Sequence, residues 1–180
     1  MPVTEIESQS APQPKFDVEL LNKDHDKTGF RCEEESLTGF LLSFAGQHSK
    51  RDISKTYVAV ESGKKKVLGY FTLVNSSLSL QILPSTKGYP KNYDVPAIKL
   101  ARLARDINLK GTDIGEFLLM SVFDIVVQIA DKSGAAVLEL DAMNVDVKEK
   151  FYAKHGFEPL LDNDLHLYLP VSTIRKIVSS

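Results

Sequence analysis

The sequence predicts an α/β fold in one domain, a mixed sheet with antiparallel N-terminal strands followed by a parallel βαβ unit. Three observations predict it. Phe16, Val18 and Leu20 alternate with Asp17 and Glu19, and residues 56–60 and 67–74 are rich in β formers on either side of a Ser62-Gly63-Lys64 turn. Ile114, Phe117, Leu118, Ser121, Val122, Ile125, Val126 and Ile129 recur at i, i+3, i+4, i+7 and onward, one unbroken stripe of a long helix. A strand at 97–105, interleaved apolar and basic, and a short apolar strand at 136–140 flank that helix, and a connection of this length suits a right-handed parallel crossover.

The other elements follow in order. Residues 1–15 carry three prolines among small polar residues and read as a flexible tail. Residues 22–29 form a charged loop. Leu37, Phe40, Leu41, Phe44, Ala45 and His48 predict an amphipathic helix over 36–48, which Gly39 and Gly46 each weaken by about 1 kcal/mol relative to alanine. Residues 75–82 alternate Leu78, Leu80 and Ile82 with polar side chains, and 84–96, with three prolines, read as a long loop. Asn144 is a candidate cap for a helix carrying Val147, Phe151 and Tyr152, which Gly156 ends. Residues 157–159 and 165–169 predict a last hairpin. The domain is expected to span 16–170, with 171–180 as a C-terminal tail.

Composition narrows the function. The 180 residues suit one core. A formal charge of −2 does not point to a strongly basic nucleic-acid module. No apolar run approaches the ~20 residues of a membrane span, and the polar N-terminus does not read as a signal peptide. Cys32 is the single cysteine, so no internal disulfide forms and a cytoplasmic location is expected, with the thiol read as packing. His25, His48, His155 and His166 are scattered, and no Cys/His spacing suggests a metal.

The chemistry concentrates in residues 100–119, LARLARDINLKGTDIGEFLL. A strand runs into a turn with Gly111 and Gly115 and then into a helix start, where unpaired N–H groups and the helix dipole favour a phosphate. It is neither a Walker loop nor a Gly-x-Gly-x-x-Gly fingerprint. Asp113 followed by Glu116 is also a capping pattern, which predicts the Asp113 carboxylate on a first-turn N–H.

Three marks resemble the GNAT superfamily of N-acetyltransferases. Lys110-Gly111-Thr112-Asp113-Ile114-Gly115 resembles its Arg/Gln-x-x-Gly-x-Gly/Ala acetyl-CoA loop, with lysine at the Arg/Gln place and aspartate at a glycine. Asn144 followed by FYAKHGF (151–157) resembles its later helix and Phe-Tyr-x-x-x-Gly-Phe ending. LARLARD (100–106) is similar to the Leu-Ala-Arg-Leu-Ala-Val-Asp of the subgroup that contains the acetyltransferase toxins of toxin–antitoxin pairs, and FRCEEESLTGFLLSFA and SKTYVAV look like that subgroup's early segments.

The resemblance implies acetyl-CoA as cosubstrate, with Tyr152 as the general acid at the thioester sulfur. It assigns Leu103, Ala104 and Arg105 to the acetyl and pantetheine group through their backbone. Lys110, Gly111, Thr112, Asp113, Ile114, Gly115 and Glu116 would meet the pyrophosphate, and Asn144 either the pantetheine or only a helix end. No general base is evident; Asp141, at the end of a strand, is a candidate.

Three functions remain open on the sequence: an N-acetyltransferase for a small or protein amine, a toxin acetylating the amino acid of charged tRNA, and a non-catalytic CoA- or partner-binding module. The toxin reading carries a ribbon-helix-helix antitoxin as partner, and a homodimer stays open. It is supported by a local basic excess, Lys87, Lys91, Lys99, Arg102, Arg105 and Lys110 against Asp94 and Asp106, with Arg102 and Arg105 as candidate RNA contacts.

Overall fold

The computed structural model describes residues 16–180; the predicted tail at 1–15 lies outside them. Strands β1 (Phe16–Leu20), β2 (Lys55–Glu61), β3 (Val67–Leu78) and β4 (Val95–Arg105) pair as consecutive antiparallel neighbours. β5 (Val137–Asp141) lies parallel to β4, and β7 (His166–Pro170) with the short β6 (Glu158–Pro159) completes a seven-stranded sheet in the order β1-β2-β3-β4-β5-β7-β6. The mixed sheet and its parallel unit are those expected from the alternation and the crossover helix.

That helix, here α3 (Ile114–Ser133), is the centre of the main core. Ile114, Leu118, Leu119, Val122, Phe123 and Val126 are fully buried and pack on Phe71, Leu73, Ile98, Leu100, Leu138 and Leu140 of the sheet. α3 sits so close to β3 that a Cβ at Gly69 would stand 2.9 Å from Leu118 Cδ1 and 3.1 Å from the Ala104 carbonyl oxygen, so glycine there sets the helix height.

The opposite face is covered by the predicted 36–48 helix, which forms as α1 (Glu35–Gly39), a π-helical turn (Phe40–Phe44) and α2 (Ala45–Lys50). Phe40, Leu41 and Ala45 are buried there against Val58, Val60 and Tyr70. The π-helical turn breaks the predicted stripe: Phe44, expected on its buried side, is 53% exposed, because the extra residue in that turn shifts the phase of the side chains.

Two further differences arise. Residues 75–78 extend β3, whereas Leu80–Ile82 turn into a 3₁₀ segment with Ser79 accepting the Gln81 N–H. The expected tail at 171–180 is instead a helix, α5 (Val171–Val178), with Val171 and Ile174 buried in the main core.

Candidate active site

Pairing between β4 and β5 covers only Ala97↔Val137 to Leu100↔Leu140, yet β4 continues to Arg105. From Ala101 onward the β5-facing edge of β4 has no neighbouring strand among the described residues. At the same place β4 carries a bulge: Leu100 pairs with Leu73 and Arg102 with Thr72, leaving Ala101 unmatched. The parted strands open a cleft of about 340 Å³. β4 lines it from Leu100 to Arg105, with Gly115 and Leu118 of α3 and Asp141 at the end of β5.

Tyr152 closes this cleft. Residues 145–155 form a short α4 (Val145–Val147), a π-helical turn (Lys148–Tyr152) and a 3₁₀ turn (Ala153–His155), ended by Gly156 in the left-handed conformation. The Tyr152 ring is 7% exposed, packed edge-on against Phe151 at 5.0 Å and Phe157 at 5.4 Å, while its hydroxyl bonds no described residue. Burial pushes the phenol well above its ordinary value, so it holds its proton throughout the physiological range.

The expected phosphate loop forms the rim. Gly111 takes a φ of 79°, and Thr112 Oγ1 donates to the Leu109 carbonyl and accepts the Ile114 N–H. Asp113 makes no capping bond; its carboxylate is exposed, which corrects the capping expectation. The N–H groups of Gly115 and Glu116 have no acceptor among the described residues, so α3 presents free first-turn donors. Lys110, Gly111, Thr112, Asp113, Ile114 and Glu116 flank the cleft in sequence without lining it; Gly115 does line it. Asn144 acts as a helix cap, its Oδ1 accepting the Val147 N–H at 2.9 Å, and does not line the cleft.

One wall went unread in the sequence. Cys32, Glu33 and Glu34 face the cleft from the segment leading into α1, and Leu37 from α1 itself. Asp106 anchors that segment: it is buried, accepts the Asn108 N–H, and stands 3.4 Å from the Arg31 N, while the Ile107 N–H bonds the Arg31 carbonyl. Cys32 is half-buried, packs against the cluster of Phe30, Phe40 and Tyr70 as expected of a packing thiol, and donates to the Glu34 carbonyl. Glu33 reaches Lys110 at 2.7 Å and Arg105 at 4.0 Å, and the Lys110 ammonium, aided by Arg105, holds its carboxyl below the ordinary range.

The basic stretch is therefore not one free surface. Lys99 pairs with Asp141, the Arg102 guanidinium lies 3.6 Å over the Phe40 ring, and Arg105 and Lys110 share Glu33; Lys87 and Lys91 are exposed in the loop before β4.

The fold recurs in known proteins. No protein-family model matches the sequence. A probable toxin TacT of Sinorhizobium fredii (strain NBRC 101917 / NGR234) is 30% identical over 162 residues, 86% of this chain and 90% of the relative. The chain belongs to the GNAT-type toxin acetyltransferases. Within that family, a tyrosine-to-phenylalanine mutant of KacT superposes with a TM-score of 0.83 at 28% identity, over 91% of this chain and 99% of its own. AtaT complexed with acetyl-methionyl-tRNAfMet gives 0.82 at 29% identity, again over 91% and 99%. AtaTR bound with acetyl-CoA gives 0.79 at 29% identity, over 91% of this chain and 98% of its own. No helix among the described residues of this toxin-type acetyltransferase is long and apolar enough to cross a membrane.

Proposed function

We propose that this toxin-type acetyltransferase moves the acetyl group of acetyl-CoA onto the α-amine of the amino acid carried by charged tRNA. The observation that carries this reading is the likeness, over nine-tenths of the chain, to AtaT in complex with an acetylated aminoacyl-tRNA. The cleft offers acetyl-CoA matching groups along its length. Its α3 side offers Gly115 and the free first-turn N–H groups to a diphosphate, and Lys110, in the loop before α3, is paired with Glu33 of the cleft wall. The unpaired edge of Ala101–Arg105 offers backbone groups to the amide-bearing arm and to the thioester carbonyl, which gains negative charge on attack.

In the transfer, the amine nitrogen bonds the carbonyl carbon, the carbon–sulfur bond breaks, and the sulfur takes up the departing charge. Tyr152 is the proton donor facing that sulfur. Its phenol, raised above its ordinary value, is a weaker acid than a thiol, so it stabilises the developing thiolate by a strong hydrogen bond as the proton begins to move. The ammonium proton leaves to water or to a carboxylate of the cleft.

KacT and AtaT have each been solved with antitoxins or DNA, including AtaT bound to the C-terminus of AtaR and a KacTA–DNA complex. By the same likeness, this chain is held inactive by an antitoxin partner. The test is incubation of the purified enzyme with acetyl-CoA and a pool of charged tRNA, simple amines and protein, followed by mass analysis of each. N-acetyl-aminoacyl-adenosine released by nuclease supports the reading. Acetyl groups found only on small amines or protein overturn it in favour of a general N-acetyltransferase.

A further inference from the structure

A group of charged residues at the apex of the cleft has no acceptor-binding role in the mechanism above. Lys99 of β4 lies opposite Glu139 of β5 in the strand register, and its ammonium bonds Asp141 Oδ2 at 2.7 Å. Glu139 is 3% exposed and is gripped by the Ser76 hydroxyl of β3 and by His166 Nε2 of β7. His166 Nδ1 in turn meets Asp162 at 2.9 Å. Lys99, Glu139 and Asp141 alternate with Ile98, Leu100, Leu138 and Leu140, which pack under α3, so the charged residues occupy the face opposite that helix.

This placement separates the two ends of the cleft. The diphosphate-binding groups lie on the α3 side. Asp141 is the first β5 residue past the point where the strands part, it lines the cleft, and its side chain is 62% exposed. Lys99 engages one carboxylate oxygen, and Oδ1 makes no hydrogen bond to a described residue. A buried, fully partnered Glu139 beside Lys99 keeps that ammonium from swinging away: Asp141 and Glu139 both hold the Lys99 charge on, against the opposing effect of its partial burial.

We propose that Asp141 binds the acceptor's ammonium through Oδ1, steering the amine to the thioester from the face opposite α3, and that Lys99, braced by Glu139, is its positioning residue. The inference rests on the acetyl-transfer reading and deepens it: the preferred acceptor presents a cationic α-amine, and an acceptor without charge gains nothing from Asp141. The other titratable or charged groups around Asp141 are Lys99, His166, its cross-strand partner on β7, Asp162 behind it, and Cys32, Glu33, Glu34, Arg102, Arg105 and Tyr152 on the walls of the cleft.

The test compares wild type, Asp141→Asn, Lys99→Gln and Lys99→Arg on a tRNA whose terminal 3′-amino-3′-deoxyadenosine links the amino acid through a base-stable amide. Asp141→Asn is expected to raise the acceptor KM by roughly 10- to 100-fold at pH 7, the usual worth of a hydrogen bond to a charged group. The gap should narrow as pH passes the α-amine's value of ~8, where the neutral amine no longer needs a carboxylate. Acetyl-CoA affinity should be unchanged, and Lys99→Arg should recover most of what Lys99→Gln loses. An unchanged KM, a gap constant with pH, or lost acetyl-CoA binding in Asp141→Asn overturns the inference. Transfer by wild type with any of those outcomes removes this inference alone; no transfer by wild type to any charged tRNA removes the parent reading and this one together.

Discussion

Gly69→Ala tests how α3 is seated and, through it, the shape of the cleft. The new Cβ would stand 2.9 Å from Leu118 Cδ1, a distance real Cβ atoms essentially never show, and 3.1 Å from the Ala104 carbonyl oxygen, which is backbone and moves only with β4. Leu118 Cδ1 ends a side chain that borders the cleft and can give way only into it, so relief there reshapes the cleft, whereas the Ala104 carbonyl is fixed in the strand. Overpacking of this kind costs about 1–3 kcal/mol. In a domain of this size each kcal/mol lowers Tm by roughly 2–4 °C. Leu118→Ala alone removes a buried leucine and costs about 2–5 kcal/mol. Because Leu118→Ala also removes the atom that the added methyl would strike, the double variant should be more stable than the sum of the two losses predicts, by about 1 kcal/mol or more. Urea denaturation of the four proteins measures the cycle. Costs that add within about 0.5 kcal/mol would show that α3 does not rest on β3 at Gly69, and the reasoning would fail. Acetyl-CoA affinity should fall in Gly69→Ala, since Gly69 pairs with Arg105 and Leu118 lines the cleft.

Three further outcomes are expected. Tyr152→Phe should lower turnover by roughly 10- to 10⁴-fold while stability and acetyl-CoA binding stay near wild type, because the hydroxyl bonds no described residue; an unchanged single-turnover rate would remove Tyr152 from the chemistry. Asp113→Gly should bind acetyl-CoA about 5- to 10-fold more tightly in calorimetric titration, because it deletes an exposed carboxylate beside the free α3 donors and, with no capping bond to lose, leaves heat stability nearly unchanged; equal or weaker binding would mean the carboxylate points away from the phosphates. For His166, burial pulls the imidazole down, but the Glu139 and Asp162 carboxylates outweigh it and hold it above its ordinary value. A group raised on folding contributes fully below its unfolded value of ~6.5 and loses that contribution as pH rises through the folded value. Unfolding free energy should therefore decline from about pH 6.5 upward, and His166→Gln should flatten that decline; identical pH profiles would rule out the imidazolium as the brace of Glu139.

What the sequence revealed and what it hid follow from how far apart the contacting residues lie. The α3 stripe, the strand before it and Tyr152 on the later helix are local patterns, and each was legible from its own spacing or motif. The cleft wall at Cys32–Leu37 was not, because its contact with Lys110 joins residues remote in sequence and Glu33 looks like any solvated carboxylate. Glu139 in LELD gave no sign that it would be buried, since its partners come from β3 and β7. The Asn144 cap and the bare Asp113 show the converse: both were candidate caps, and only the geometry of the following turn decides which carries the bond. The helix at Val171–Val178 has its own local pattern, for Val171, Ile174, Ile177 and Val178 stand at helical spacing.

The bulge at Ala101 gives β4 a phase. Before it, Ile98 and Leu100 look toward α3; after it, Leu103 does, although the same sequence paired without a bulge would have turned that side chain to the other face. Arg102 falls opposite Thr72 and over Phe40 for the same reason. The unmatched residue therefore behaves as an insertion between two segments that each alternate correctly. Deleting Ala101 would leave every later side chain on its present face, opposite its present partner, while the strand lost its bend. Substitution there cannot make that separation, because the count of residues stays the same. In β4 the rhythm that feeds the core and the kink that opens the cleft are thus written by different residues, and the kink alone can be removed.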